Sequence, residues 1–548
     1  MAKINRRQFM KLAGSSLAIG AIGSAFPSIY RYKEIAGGLD KFSHVVVLMM
    51  ENRSFDNLLG YLYTPQNPPP NNQPFEGVAY HNLSNPIPPY ADSSFMGSVP
   101  VHKDSIMNNP NPDPGEEYPH MNASMFGTIL PDSNRFVDAC DMVSPWNVPD
   151  TIPQVYPMNG FLMDYINNFK ATQGRMPTYS EYRIIMSCFP PEVVPVISTL
   201  AKGFAVCDHW HCAVPSQTFC NRSFLNSAQS NGNVTNSCPD GYTKWQLNTS
   251  ETIFQRLKSR GYNWKLYFDH LDLFPMSLLI HFNALRPYAH DHICSMDAFY
   301  DDCASGRLPE YTFIEPRMMF FHNDEHPPAP LVGNSNITTF PSSVTPGEKL
   351  IHKVYNAIKN SSSSVGNNWQ NTLFIITFDE AGGTYDHVQP PAGVQPPGNT
   401  TNNEMDFDFR RLGIRVPAIL VSAYINSGTV ISDQLTHTSV IKTLSNKWNL
   451  GHLTQRDLTS PSLEGYLTRE FPRNPSDWPV TAPRQEYTQG DKDFFLDKPL
   501  TGFQKDFIGV ANSLAYGSSH PPSGIKTIGD GLSFLKEVIK ILKVSYSC

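Results

Sequence analysis

The chain has 548 residues, 40% hydrophobic and 17% charged, with a formal net charge of −7 and a pI near 6.2. That length can bury a large core, and an acidic chain without a basic tract excludes a protein that tracks a nucleic-acid phosphate backbone. Forty-seven prolines, against a usual share of roughly 5%, cluster in stretches such as 64–74, 389–403 and 472–483. They predict a compact sheet carrying long loops, and the length fits either three or four domains or one large α/β enzyme domain with insertions.

At the start, Asn5-Arg6-Arg7-Gln8-Phe9-Met10-Lys11 precedes a small-residue apolar stretch, Leu12–Phe26. The stretch is too short and too rich in Gly, Ala and Ser for a transmembrane helix. Residues 1–26 are therefore expected to be a cleaved signal resembling the twin-arginine type, which engages that export machinery and delivers a folded protein to a secreted or periplasmic location. No other stretch is long and apolar enough to span a bilayer.

Val45–Met50 is an unbroken apolar run of strand length, as expected of a strand buried on both faces of a sheet. Glu51 and Asn52 follow it directly, and Ser54 can cap a helix bearing Phe55, Leu58, Leu59 and Tyr61. Next, Asn111–His120 is a proline-stiffened loop that offers Glu116, Glu117 and His120. The densest stretch is 204–222, where Thr218 taken by itself reads as a helix cap and Ser216 is a second hydroxyl in the same loop. Asp208, His209 and His211 read as structural. A helix is predicted over 251–260, a strand over 263–268, an apolar core segment over 271–282 and a strand over 311–314, followed by His322-Asn-Asp-Glu-His326-Pro327. Thr372–Phe378 is a second buried strand, ending in Asp379-Glu380-Ala-Gly-Gly. A further strand is expected within 413–422, a helix begins at His437, and 529–544 reads as an amphipathic helix with Leu532, Leu535, Val538, Ile539 and Leu542 on one face.

Two strands far apart in sequence thus deliver acids at their carboxyl ends, where open α/β sheets place ligands. Three carboxylates converging without a basic partner repel one another, and a bound cation with oxygen ligands resolves that conflict. Nine cysteines without Cys-x-x-Cys spacing exclude a thiolate zinc site. Disulfides are expected among those from Cys140 to Cys303, with at least one thiol left over. Asn52-Arg-Ser and Asn221-Arg-Ser are formal glycosylation sequons, but both asparagines belong to the chemistry-bearing stretches, which suits a bacterial setting.

Taken in order, residues 50–56, 111–117, 215–222, 313–317, 323–327 and 379–388 resemble the motifs of the phosphoesterase family of phosphatidylcholine-specific phospholipases C, plant non-specific phospholipases C and a group of acid phosphatases. The resemblance covers 42–470 and leaves 471–548 as a C-terminal extension. It implies an α/β, alkaline-phosphatase-like fold with a mostly parallel central sheet flanked by helices and long Pro-rich loops. It also implies a divalent metal ion (Ca, Mg or Zn) on Glu51, Asn52, Asp379 and Glu380, with Thr218 as nucleophile, Asn221 as phosphate ligand and His326 at the transferred phosphate. In many relatives a His follows the Asp-Pro-Gly; here Glu116 stands in its place, and His120 is the candidate substitute. The implied activity is phospholipase C action on phosphatidylcholine-like lipids at a membrane surface. The alternatives are an acid phosphatase acting on soluble monoesters and a non-catalytic surface-binding protein. The sequence sets no oligomeric state.

Overall fold

The computed structural model describes residues 38–91, 95–238, 241–328, 343–398, 403–485 and 496–548; the expected export signal lies outside them. An eight-stranded sheet organises the chain. Its strands are β1 (His44–Met50), β2 (Ala205–Cys207), β3 (Trp264–Phe268), β4 (Ile293–Ser295), β5 (Tyr311–Glu315), β6 (Thr372–Phe378), β7 (Ala418–Val421) and β8 (Thr429–Ile431). Their spatial order is β8-β2-β7-β6-β1-β5-β3-β4. Every neighbouring pair is parallel except the two that include β7. One reversed strand therefore sits in an otherwise parallel sheet with helices around it, as the α/β expectation required.

β1 lies at the centre, and Val45–Met50 are fully buried. Burying each of its Val and Leu side chains contributes about 1.5–3 kcal/mol, which fixes this strand inside the sheet. It pairs with β6 from His44↔Thr372 to Met50↔Phe378. In that register Glu51 and Asp379 leave the sheet side by side. A smaller core between α2 (Tyr118–Phe126), with Met121 and Met125, and α3 (Phe161–Gln173), joined by Tyr182 and Tyr385, backs the loop that carries Glu116.

At the C-terminus α6 (Gly502–Tyr516) and α7 (Ile528–Leu542) pack on one another. On α7, Leu535, Val538 and Leu542 are buried and Leu532 and Ile539 are partly buried against the main core, so the amphipathic face docks on protein. Among the described residues no helix is long and apolar enough to cross a membrane.

The disulfides are Cys140–Cys238 and Cys294–Cys548. The second corrects the expected range, because the chain end returns to β4 and brings Cys548 to it. Cys188, Cys207, Cys212, Cys220 and Cys303 are buried thiols.

Candidate active site

Backbone bonds lace the two strand ends together. Asp379 N donates to Met50 O (3.1 Å), Arg53 N to Glu380 O (3.1 Å) and Asn52 N to Asp379 Oδ1 (3.2 Å). Asn52 has φ 54°, a left-handed conformation that asparagine tolerates better than most residues. Opposite it, a Cβ on Gly382 would lie 2.4 Å from Asn52 O, so only glycine lets the turn after Glu380 come this close. Ser54 caps α1 (Phe55–Leu59) as expected, accepting from Asn57 N. His437, at the start of α5 (Thr438–Trp448), donates from Nε2 to Asp379 O (2.6 Å) and accepts from Trp210 Nε1 at Nδ1 (3.2 Å). It is a neutral strut, its pKa pushed down to about 4 by burial.

The helix α4 (Thr218–Ser227) supplies two groups one turn apart on the same face. Thr218, its first residue, donates from Oγ1 to Glu51 Oε2 (3.2 Å), so the side chain faces the acids rather than capping its own helix. Arg222 donates from Nε to Glu51 Oε1 (2.8 Å) and Asp379 Oδ2 (3.2 Å), and Arg222 Nη2 lies 2.6 Å from Glu51 Oε1. This corrects the expectation that the acids lack a basic partner. Burial opposes the guanidinium charge, but Glu51 and Asp379 outweigh it and raise its pKa. The helical i, i+4 spacing from Thr218 is the local signal for Arg222, but its partner Glu51 lies 171 residues away and no local pattern links the two.

Asn221 is placed differently from a phosphate ligand. Its Oδ1 accepts from Val214 N (2.9 Å), and its Nδ2 donates to Val214 O, Ser216 O and Gln217 O at 2.8–3.1 Å. Both ends of the amide close the loop before Thr218, which makes Asn221 a positioning residue. Asn52 Nδ2 donates to Glu116 Oε2 and to His326 Nε2 (2.9 Å). His326 in turn has Nδ1 2.6 Å from Pro327 O, and burial pushes its pKa down to about 4. Asp324 accepts from His326 N (3.1 Å). His120 stands apart from the acids, paired through Nδ1 with Asp164 Oδ1 (2.8 Å). Burial works against its charge, but Asp164 prevails and raises the pKa to about 9.

The cluster carries an excess of negative charge. Glu51, Glu116, Asp379 and Glu380 are all buried, with Arg222 as the guanidinium between two of them. Burial first, then Asp379, raises the Glu51 pKa well above the carboxylate range; burial, then Glu116 and Asp379, does the same for Glu380. Asn52 Oδ1 and Glu380 Oε1 are buried without a hydrogen-bond partner, a costly state unless something accepts their lone pairs. Together these features fit a divalent cation. Among the described residues, Glu51, Asp379 and Glu380 do not bring three ligand atoms within 4.8 Å of one another, and the Arg222 guanidinium stands between Glu51 and Asp379. Beside them, Asp113, Glu116 and His326 bring three ligand atoms within 4.8 Å of one another.

A mostly parallel α/β sheet thus brings buried carboxylates and a helix-borne hydroxyl to one strand end, where such sheets place ligands. The Phosphoesterase family matches residues 42–451. The chain belongs to that family and is a phosphoric ester hydrolase. Non-specific phospholipase C3 of Arabidopsis thaliana is 32% identical over 85% of this chain and 81% of its own length. Phospholipase C A of Mycobacterium tuberculosis is 24% identical over 80% of each. A solved alkaline phosphatase superfamily protein from Vibrio parahaemolyticus covers 49% of this chain and 64% of its own, at 13% identity and a TM-score of 0.29.

Proposed function

We propose that the protein is a secreted, metal-dependent phospholipase C that cleaves phosphatidylcholine-like lipids to diacylglycerol and the phosphorylated headgroup. The observation that carries this reading is the Thr218 hydroxyl, buried at the start of a ten-residue helix and 3.2 Å from Glu51 Oε2. A divalent cation on Glu51, Asn52, Asp379 and Glu380 would lower the pKa of that hydroxyl and offset phosphoryl charge. Glu51 orients the hydroxyl for attack on phosphorus, and Arg222 holds Glu51 in place. His326 Nε2, 2.9 Å from Asn52 Nδ2, would serve a phosphoryl oxygen or the leaving alkoxide.

A cavity of about 490 Å³ is lined by Glu116 and Gln217, by Asp113, Glu117, Asp138 and Asp506 against Lys505 and His120, and by Tyr242 and Phe503. Acids and aromatic rings suit a quaternary ammonium headgroup, which supports a choline lipid over an anionic monoester. Two disulfides support an oxidising compartment and hence export. Both relatives named above are called phospholipases C.

The test is hydrolysis of phosphatidylcholine vesicles and of p-nitrophenyl phosphate by the same mature protein, before and after chelation. Diacylglycerol release that a chelator stops and metal restores is expected. Thr218→Ala and Asp379→Ala should each abolish it while keeping the wild-type circular dichroism. A preference for the monoester would make the protein a phosphatase, and activity retained in either variant removes the mechanism.

A further inference from the structure

Behind α1 stands a second cluster that the hydrolytic reaction does not use. Glu76 and His81 flank a short turn, Val78–Tyr80, and His387 lies in the loop after β6. His81 Nε2 is 2.7 Å and His387 Nε2 2.9 Å from the same oxygen, Glu76 Oε1. The two rings have centroids 4.9 Å apart, and one ligand atom from each of the three residues falls within 4.8 Å of the others. We propose that Glu76, His81 and His387 form a structural zinc site, with solvent water as fourth ligand, separate from the oxygen-lined catalytic cluster.

The surroundings of His387 carry the argument. Its Nδ1 donates to Asp56 Oδ2 (2.6 Å), which leaves Nε2 aimed at Glu76. A carboxylate holding the far nitrogen is how zinc-bound imidazoles are oriented. Asp56 is itself fixed, since Oδ1 accepts from Arg415 Nη2 (2.9 Å) and Oδ2 from His387 N (2.8 Å). Arg415 also holds Asp386 Oδ1 and Glu76 O, each at 2.9 Å, and Asp208 Oδ2 holds Glu76 N (2.9 Å). The turn between Glu76 and His81 is equally set: a Cβ on Gly77 would lie 2.4 Å from the Phe75 ring and 2.6 Å from Gly60 O. The frame therefore exists before any ion arrives.

Charge and geometry agree with this assignment. A dication and Arg415 would balance Glu76, Asp56 and Asp386. At zinc–ligand distances of about 2.0–2.1 Å, tetrahedral ligand atoms stand roughly 3.3 Å apart. Glu76 must therefore retreat by about half an ångström, and its side chain is 37% exposed and free to do so. Two imidazoles with one carboxylate select zinc over calcium or magnesium. The zinc would clip the 76–81 turn to the 384–388 loop. In that loop Thr384 Oγ1 accepts from Ser54 N and Asp386 Oδ2 from Asp56 N, directly after Glu51-Asn52.

The test uses the full chain, stripped with a chelator and re-equilibrated with zinc alone. Crystals measured at the zinc edge should show anomalous density between His81 and His387. His81→Ala and Glu76→Gln, both at partly exposed positions, should keep wild-type circular dichroism. Each should bind one zinc equivalent fewer, or bind it roughly tenfold or more weakly, and should lose the rise in Tm that zinc gives the wild type. Anomalous density confined to the Glu51 or Asp113 cluster, or equal zinc binding by the wild type and both variants, overturns the proposal. Neither result bears on whether the catalytic cluster works.

Discussion

Glu51 and Asp379 sit wholly buried on one guanidinium, and that dependence can be measured. Arg222→Met would keep most of the side-chain volume but leave two carboxylates without their cation. Breaking a buried pair in this way costs about 3–5 kcal/mol. Urea unfolding of the chelated protein should show a loss of that size; a change below about 1 kcal/mol would mean that the cost of burying the guanidinium cancels its attraction to the two carboxylates. The residue types of this site were legible in the sequence. Glu51, Asn52, Asp379 and Glu380 follow two apolar strands directly, so a strand ending in acids could be read from local pattern. Arg222 and the Glu116–Asn52 contact were not, because each joins segments whose proximity only the fold decides. Asn221 shows the converse: its motif marks importance, but only the loop geometry shows that both ends of the amide hold Val214–Gln217.

At the scale of elements, legibility followed length. β1 and β6 are seven-residue strands of mostly apolar sequence, and their in-register parallel pairing converts two sequence motifs into one site. β2, β4 and β8 have three residues each. Strands that short take their conformation from neighbours rather than from their own pattern, so no local periodicity marks them. The amphipathic pattern of α7 was visible, whereas its covalent anchor was not, since Cys294 and Cys548 are 254 residues apart. That anchor ties the chain end to β4, where Ser295 N also donates to Cys548 O (3.1 Å). Cys548→Ser should therefore lower stability by about 2–4 kcal/mol. Thermal melts of the two proteins under non-reducing conditions measure this, and the gap should close once the wild type is reduced. A gap that survives reduction would place the loss in packing instead.

Across the whole molecule, two sets of buried groups pull stability in opposite directions as pH changes. Glu51 and Glu380 have raised pKa values, so in the chelated protein their burial becomes more costly as pH rises. A bound cation competes with those protons, so metal should raise Tm more at pH 8 than at pH 5. An equal rise at both would mean that the ion binds elsewhere. The imidazoles act the other way. His281 is fully buried, accepts at Nδ1 from Asn248 Nδ2 (3.2 Å), and has its pKa pushed down to about 3 by burial. Its folded pKa lies below the unfolded value of about 6.5. The unfolded chain therefore binds the extra proton between those limits, and the stability His281 supports is complete above pH 6.5 and lost as pH falls toward 3. The slope is about 1.4 kcal/mol per pH unit for one proton. His281→Asn cannot take that proton; it should be less stable at pH 7 because of the smaller side chain, yet lose less on going to pH 5. Comparing the two proteins by urea unfolding at both pH values isolates this group from the opposing acids, because those are common to both. Parallel pH profiles would mean that His281 meets solvent in the folded protein and titrates without cost.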